Sequence, residues 1–253
     1  FSFERPVSAG HAFFCGEEHA MATTRIIAMH RNKGCTAEQA LKARLDYIKN
    51  PEKTREGELV TAFACHAATA DAEFALARQA EMSAIQNALT AGELPLRVTH
   101  NDTKINNVLF DEETRKALVV IDLDTVMPGL VGHDFGDAIR FAANFVEEDS
   151  PRADKAGVNL NVYWAFAEGF LKETAATLTP REVETLGLSC FALACELATR
   201  FLDDYIVGDK YFKIKNAEHN LVRTRCQIAL AKDMLLKMDA MNAIVMDCYN
   251  RYR

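Results

Sequence analysis

Several features are missing from this 253-residue chain, and each absence removes a class of function. No C-x-x-C pair occurs among its seven cysteines, which stand at 15, 35, 65, 190, 195, 226 and 248. That odd, scattered set suits neither a zinc site nor a disulfide framework. Buried, reduced thiols are expected instead, as in a cytoplasmic protein. No apolar run approaches the roughly 20 residues of a membrane span. The N-terminus has no basic segment followed by an apolar one, so it does not read as a signal peptide. Basic residues are outnumbered, 29 Lys and Arg against 36 Asp and Glu. A net charge of −7 argues against coating nucleic acid, which needs clustered cations. Neither G-x-G-x-x-G nor G-x-x-x-x-G-K-[ST] is present. Internal repeats and low-complexity linkers are also lacking.

What is present is ordinary globular composition, 49% hydrophobic and 26% charged, enough for one large domain or two small ones. Residues 8–30 read as helical. Thr36-Ala37-Glu38-Gln39 reads as a capping box opening a helix to about Lys49, which Asn50-Pro51 ends. Residues 58–90 lack Pro and predict one long helix that stops before Ala91-Gly92. The middle differs. Leu96–Thr99, Asn107–Phe110 and Ala117–Ile121 are short β-like runs, and Asp111 to Lys116 predicts a hairpin turn between the second and third. Met127-Pro128-Gly129 reads as a break into a loop. Helix is expected again from about residue 134. Thr179-Pro180-Arg181-Glu182 marks a strong helix start, with an apolar, central helix following to about Val207. A last helix is expected from about Glu218 to the end. The layout is α+β and mostly helical, with helices flanking one small β insert.

The insert carries the chemistry. It contains Thr99-His100-Asn101-Asp102-Thr103-Lys104-Ile105-Asn106-Asn107, with Val120-Ile121-Asp122-Leu123-Asp124 at the end of the last β-like run. Phosphoryl transfer to a hydroxyl needs a carboxylate for the hydroxyl proton, a metal to neutralise phosphate oxygens, and in-line positioning. Asp102 can be the carboxylate. Asn107 and Asp122 can offer oxygens to Mg2+, which takes few protein ligands beside phosphate and water. Lys104 can offset charge on the transferring group. Taken singly, each of these matches is a common turn or loop residue; the combination is selective.

The run H-N-D-T-K-I-N-N followed by V-I-D-L-D resembles the aminoglycoside phosphotransferase and choline kinase superfamily, whose fold is protein-kinase-like. The resemblance implies Asp102 as catalytic base and Asn107 and Asp122 as Mg2+ ligands, with ATP as donor. It also implies Asp137, in Gly132-His133-Asp134-Phe135-Gly136-Asp137, as a brace for the catalytic loop; a helix-cap reading of Asp134 and Asp137 stays open beside it. Residues 92–235 look most like the N-acetylhexosamine 1-kinases of that superfamily, which implies an amino-sugar acceptor held by Arg200 and Tyr211. Arg200 also falls on a polar stripe, Glu196, Arg200, Asp203 and Asp204, of an otherwise apolar helix; i,i+4 ion pairs on an exposed face are the alternative. Tyr211 reads equally as packing. His100 is expected to be a scaffold for the loop, and Asp124 either a carboxylate close to the metal or a loop residue turned away.

The expectation is therefore that residues 1–253 form a single C-terminal catalytic and acceptor-binding lobe. The N-terminal nucleotide-binding lobe would lie outside this chain, which alone would be of low activity. A choline-like or aminoglycoside-like acceptor, or a non-catalytic scaffold of the same fold, are the competing readings.

Overall fold

The computed structural model describes residues 69–253. The helices expected over 8–30 and 36–49, the first part of the one over 58–90, and the cysteines at 15, 35 and 65 lie outside the described residues. Two helices come first, α1 (Thr69–Ala77) and α2 (Gln79–Thr90). One continuous helix was expected here. It breaks at Arg78, whose φ of −111° and ψ of 12° leave the helical basin. Its guanidinium bonds forward to Glu81 in the first turn of the new helix at 2.9 Å.

The β insert consists of two separate antiparallel ribbons. β2 (Val108–Phe110) and β3 (Ala117–Val120) form the expected hairpin, with an irregularity between Leu109 and Phe110. Asp111 closes its turn by accepting from the Thr114 amide and hydroxyl, each at 2.7 Å. The other ribbon corrects the sequence reading. Met127–Gly129 is a strand, β4, and pairs with β1 (Arg97–Thr99) in the register Arg97↔Gly129 and Thr99↔Met127. Pro128 is tolerated because a two-stranded ribbon leaves an edge where its missing N–H is not needed.

The rest is helical: α3 (Val131–Ala142), α4 (Leu160–Thr174), α5 (Pro180–Glu184), α6 (Leu186–Val207), α7 (His219–Leu236) and α8 (Met238–Tyr252). The Thr179 capping box is fully formed: Thr179 accepts from the Glu182 amide, and Glu182 accepts from the Thr179 amide. The helix it opens is short. Thr185 turns its hydroxyl onto the Glu182 carbonyl at 2.8 Å and adopts φ −92° and ψ −6°, so α5 and α6 are distinct. The expected C-terminal helix is likewise split, at Lys237. Its amide is shared between the Asp233 and Met234 carbonyls and its ammonium reaches Val158 O at 3.0 Å, which turns α8 back onto α4.

α6 is the central helix expected, touching α1, α2, α3, α5, α7 and α8. The main core gathers around it: Phe135, Tyr163, Leu171, Leu186, Phe191, Leu230 and Met234 are fully buried. Gly136 lets α3 lie against α6; a Cβ there would stand 2.7 Å from the Ser189 carbonyl oxygen. Gly208, at φ 93°, ends α6 in the left-handed conformation usual at helix C-termini. Cys190, Cys195, Cys226 and Cys248 are free and buried, as the sequence suggested for them. Among the described residues, no helix is long and apolar enough to cross a membrane.

Candidate active site

The segment between β1 and β2 is held from several sides, and those bonds determine what its side chains can do. Asn101 has φ 63°, a left-handed conformation that Asn tolerates better than most residues. Two consecutive amides at this bend, His100 N and Asn101 N, donate to the two carboxylate oxygens of Asp134 at 2.8 and 2.7 Å. Burial pushes the Asp134 carboxyl above its ordinary range, against the pull of these two amides. Thr103 N donates to Asp137 Oδ2 at 3.0 Å. Asp137 in turn pairs with the buried Arg140, which also pairs with Glu148. The cap reading of both acids fails, since Leu130 is the N-cap of α3. Asp134 and Asp137 instead reach out of the helix to the loop.

Asp102 leaves this loop half-buried, its Oδ2 accepting from Lys104 Nζ at 2.7 Å and Asn107 Nδ2 at 2.8 Å. Asn107 is buried and its amide nitrogen also donates to the Asp102 carbonyl at 2.8 Å. Because both partners are acceptors, the NH2 group must face them, and Oδ1 is the atom left for a cation. The strand end carrying Asp122 is tied to the same loop at both backbone atoms of Ile121. Ile121 N donates to Asn107 O at 2.9 Å, and His100 Nε2 lies 3.0 Å from Ile121 O. His100 Nδ1 accepts from Asp102 N at 3.2 Å, which fixes the proton on Nε2 and makes the imidazole a strut between the two segments. Asp122 follows directly, exposed and at φ 62°, opening a short 3-10 turn in which Asp124 is also exposed.

Beyond Asp102 lies a cavity of about 410 Å3. Lys104, Asp137, Arg140, Arg200 and Tyr211 share its wall with Asp102; His100, Asn107, Asp122 and Asp124 are not among the lining residues. Arg200 lies 5.8 Å from the Tyr211 ring centre and 5.6 Å from that of Phe212. Of the alternative i,i+4 ion pairs on this stripe, Glu196–Arg200 forms, at 3.6 Å, while Asp204 is put to another use. Asp204 is buried and accepts from the amides of Lys210, Tyr211 and Phe212 at 2.8 to 2.9 Å, which folds the loop after α6 back over Arg200. The stripe is therefore a cavity wall and a loop clamp, not an exposed face. Glu196, another member, is nearly buried, and desolvation raises its carboxyl to about 7. His133, also on the wall, is pushed down to about 4 by burial and is neutral at physiological pH.

Sequence reasoning missed Asp134 as the main brace and Asp204 as the clamp. Asp134 had a weak signal: an acid one turn before Asp137 on the same helix. Asp204 had none, because its partners come from a loop whose path is not local.

A search against family sequence models matches residues 34–170, just over half of the chain, to the group described as the phosphotransferase enzyme family (APH).

Proposed function

The chain belongs to the phosphotransferase enzyme family, and we propose that it serves transfer of the γ-phosphoryl group of ATP to a hydroxyl of an N-acetylated hexose, GlcNAc or GalNAc, at the anomeric position. The observation that carries this reading is the placement of Asp102, on one cavity wall with Arg200 and Tyr211 and with one carboxylate oxygen held by Lys104 and Asn107. In this reading Asp102 orients the acceptor hydroxyl and takes its proton late in transfer, when the attacking oxygen has become acidic. Lys104 pairs with that carboxylate at the cavity wall. It can exchange its bond to Asp102 for one to a phosphate oxygen. Arg200 donates to the sugar, and Tyr211 offers an aromatic face to it.

The residues present fit Mg2+. Asn107 Oδ1 and the Asp122 carboxylate are one carbonyl and one carboxylate oxygen on segments bonded to each other through Ile121. A cation of this type takes such a pair together with phosphate and water. When bound, it would neutralise charge on the phosphate oxygens.

The balance of charge on the wall supports a neutral, hydroxylated acceptor. Lys104, Arg140, Arg200 and Arg223 offset Asp102, Asp137, Glu148 and Glu196. A choline-like or aminoglycoside-like cation would be better served by an excess of acids on the wall. Phe141, Phe201 and Phe212 add apolar surface for the sugar ring. We read residues 1–253 as the catalytic and acceptor-binding lobe, with the nucleotide covered by a separate lobe. The exposed apolar side chains of Val98, Leu109, Leu118 and Val119 on the two ribbons support a further segment packing there.

The test is a screen of N-acetylhexosamines, hexoses, choline and aminoglycosides with γ-labelled ATP and Mg2+ in the full protein. Label is expected in N-acetylhexosamine 1-phosphate. Preference for a cationic acceptor would overturn the substrate assignment. Absence of magnesium-dependent nucleotide binding would overturn the enzyme assignment altogether.

A further inference from the structure

The cavity wall holds one acid that the chemistry above leaves unused. Glu196 lies one turn before Arg200 on α6, with a side chain 12% exposed. Its Oε1 is buried without a hydrogen-bond partner. The nearest cation is Arg200, whose Nη1 stands 3.6 Å from that oxygen, in ion-pair contact but beyond hydrogen-bond reach. A desolvated carboxylate this poorly bonded is costly to keep in a fold, and such groups tend to mark function.

The surroundings explain why the contact to Arg200 matters. On α3, Asp137 and Arg140 face the same space but are committed to each other, and Arg140 also to Glu148. His133 is neutral. On α7, Arg223 bonds to Asn220 Oδ1 at 3.3 Å and lies 5.2 Å from the Phe201 ring centre. Asp102 and Lys104 are paired across the cavity. One turn beyond Arg200, Asp204 is occupied by the loop backbone. Glu196 is thus the acid placed to draw on Arg200, while the Tyr211 and Phe212 rings flank its guanidinium.

We propose that Glu196 is a positioning residue: its ionised carboxylate holds the Arg200 guanidinium in the direction from which it binds the acceptor, so acceptor affinity depends on the charge of Glu196. The inference rests on the reading of Arg200 as an acceptor-holding group. The raised carboxyl, near 7, sets where the effect is seen. Below that pH Glu196 is neutral, its attraction to Arg200 is lost, and the guanidinium is free to leave its place.

The experiment measures acceptor KM and kcat of the full protein from pH 5.5 to 8.5 in wild type, Glu196→Gln, Glu196→Asp and Arg200→Ala, beside a carbon-13 titration of the Glu196 carboxyl. In wild type, acceptor KM should rise about tenfold from pH 8 to pH 6 with little change in kcat, the size of one charge-assisted contact. Glu196→Gln should show the raised KM at every pH and a flat profile. Glu196→Asp should restore the dependence in part. Arg200→Ala should shift the Glu196 titration further upward and flatten KM. A Glu196→Gln profile that follows the wild type, with turnover intact, overturns the role of Glu196 alone. So does a Glu196 titration unmoved by Arg200→Ala. If no variant, wild type included, turns over any acceptor while the titration still shows coupling, the acceptor reading fails and carries the proposal with it.

Discussion

Replacing Asp134 with Ala isolates how the loop before Asp102 is held. The carboxylate accepts two amides, from His100 and Asn101, at 2.8 and 2.7 Å. Hydrogen bonds to a charged group contribute about 1.5–3 kcal/mol each. Two of them set an upper figure of about 3–6 kcal/mol. Burial opposes the charge on Asp134, as the upward displacement of its carboxyl shows, and Asp134 is only half-buried, so water can reach part of the gap. The expected loss is therefore about 2–4 kcal/mol in urea unfolding. The loop should also relax from the left-handed bend at Asn101, moving Asp102. A displacement of about 1 Å costs on the order of 100-fold in rate when it misplaces a reacting group. Asn at 134 should not rescue, since its amide would present hydrogen to one of the two N–H donors. The assay pairs urea denaturation with kcat for phosphoryl transfer. A variant within about 0.5 kcal/mol of wild type and with half its kcat or more would refute the bracing role.

Two further predictions concern the frame around the site. Gly136→Ala would place a methyl group 2.7 Å from the Ser189 carbonyl oxygen and push α3 from α6, with an expected cost of about 1–3 kcal/mol in urea unfolding. Gly169→Ala, in α4 with nothing within 4 Å of the new Cβ, should instead stabilise by up to about 1 kcal/mol, and equal effects at the two positions would contradict the packing. Glu196→Gln should change stability with pH. The folded carboxyl sits near 7 against an ordinary 4.5, so the folded state binds its proton more tightly, and wild-type stability falls as pH rises from about 4.5 to about 7. The variant should match wild type near pH 4.5 and exceed it at pH 8, by an amount on the order of 3 kcal/mol at most. A stability difference independent of pH, measured by urea unfolding at both values, would show that Glu196 is not desolvated.

What could be read from the sequence was local. The Thr179 capping box, the β2–β3 turn and the Asp102–Asn107 spacing are each set within a few residues, and the structure forms all three. The helix breaks at Arg78, Thr185 and Lys237 have no Pro or Gly to announce them. At Thr185 and Lys237 the break comes where a side chain bonds a backbone carbonyl, of Glu182 and of Val158. Pairing of β1 with β4 joins segments about thirty residues apart, and a proline in one of them pointed away from strand. Asp134, Asp137 and Asp204 were visible as acids on helices, but their use depends on which loop passes above them. Local patterns offered caps and i,i+4 pairs; the fold supplied backbone amides instead.

The most direct measurement is single-turnover phosphoryl transfer by Asp102→Asn in the full protein, with γ-labelled ATP, Mg2+ and an N-acetylhexosamine. Asn preserves the shape of the side chain but cannot take a proton. Transfer should slow on the order of 100- to 10,000-fold, with thermal stability and nucleotide affinity close to wild type. Transfer within tenfold of wild type would contradict the assignment of Asp102 as the group that receives the acceptor proton.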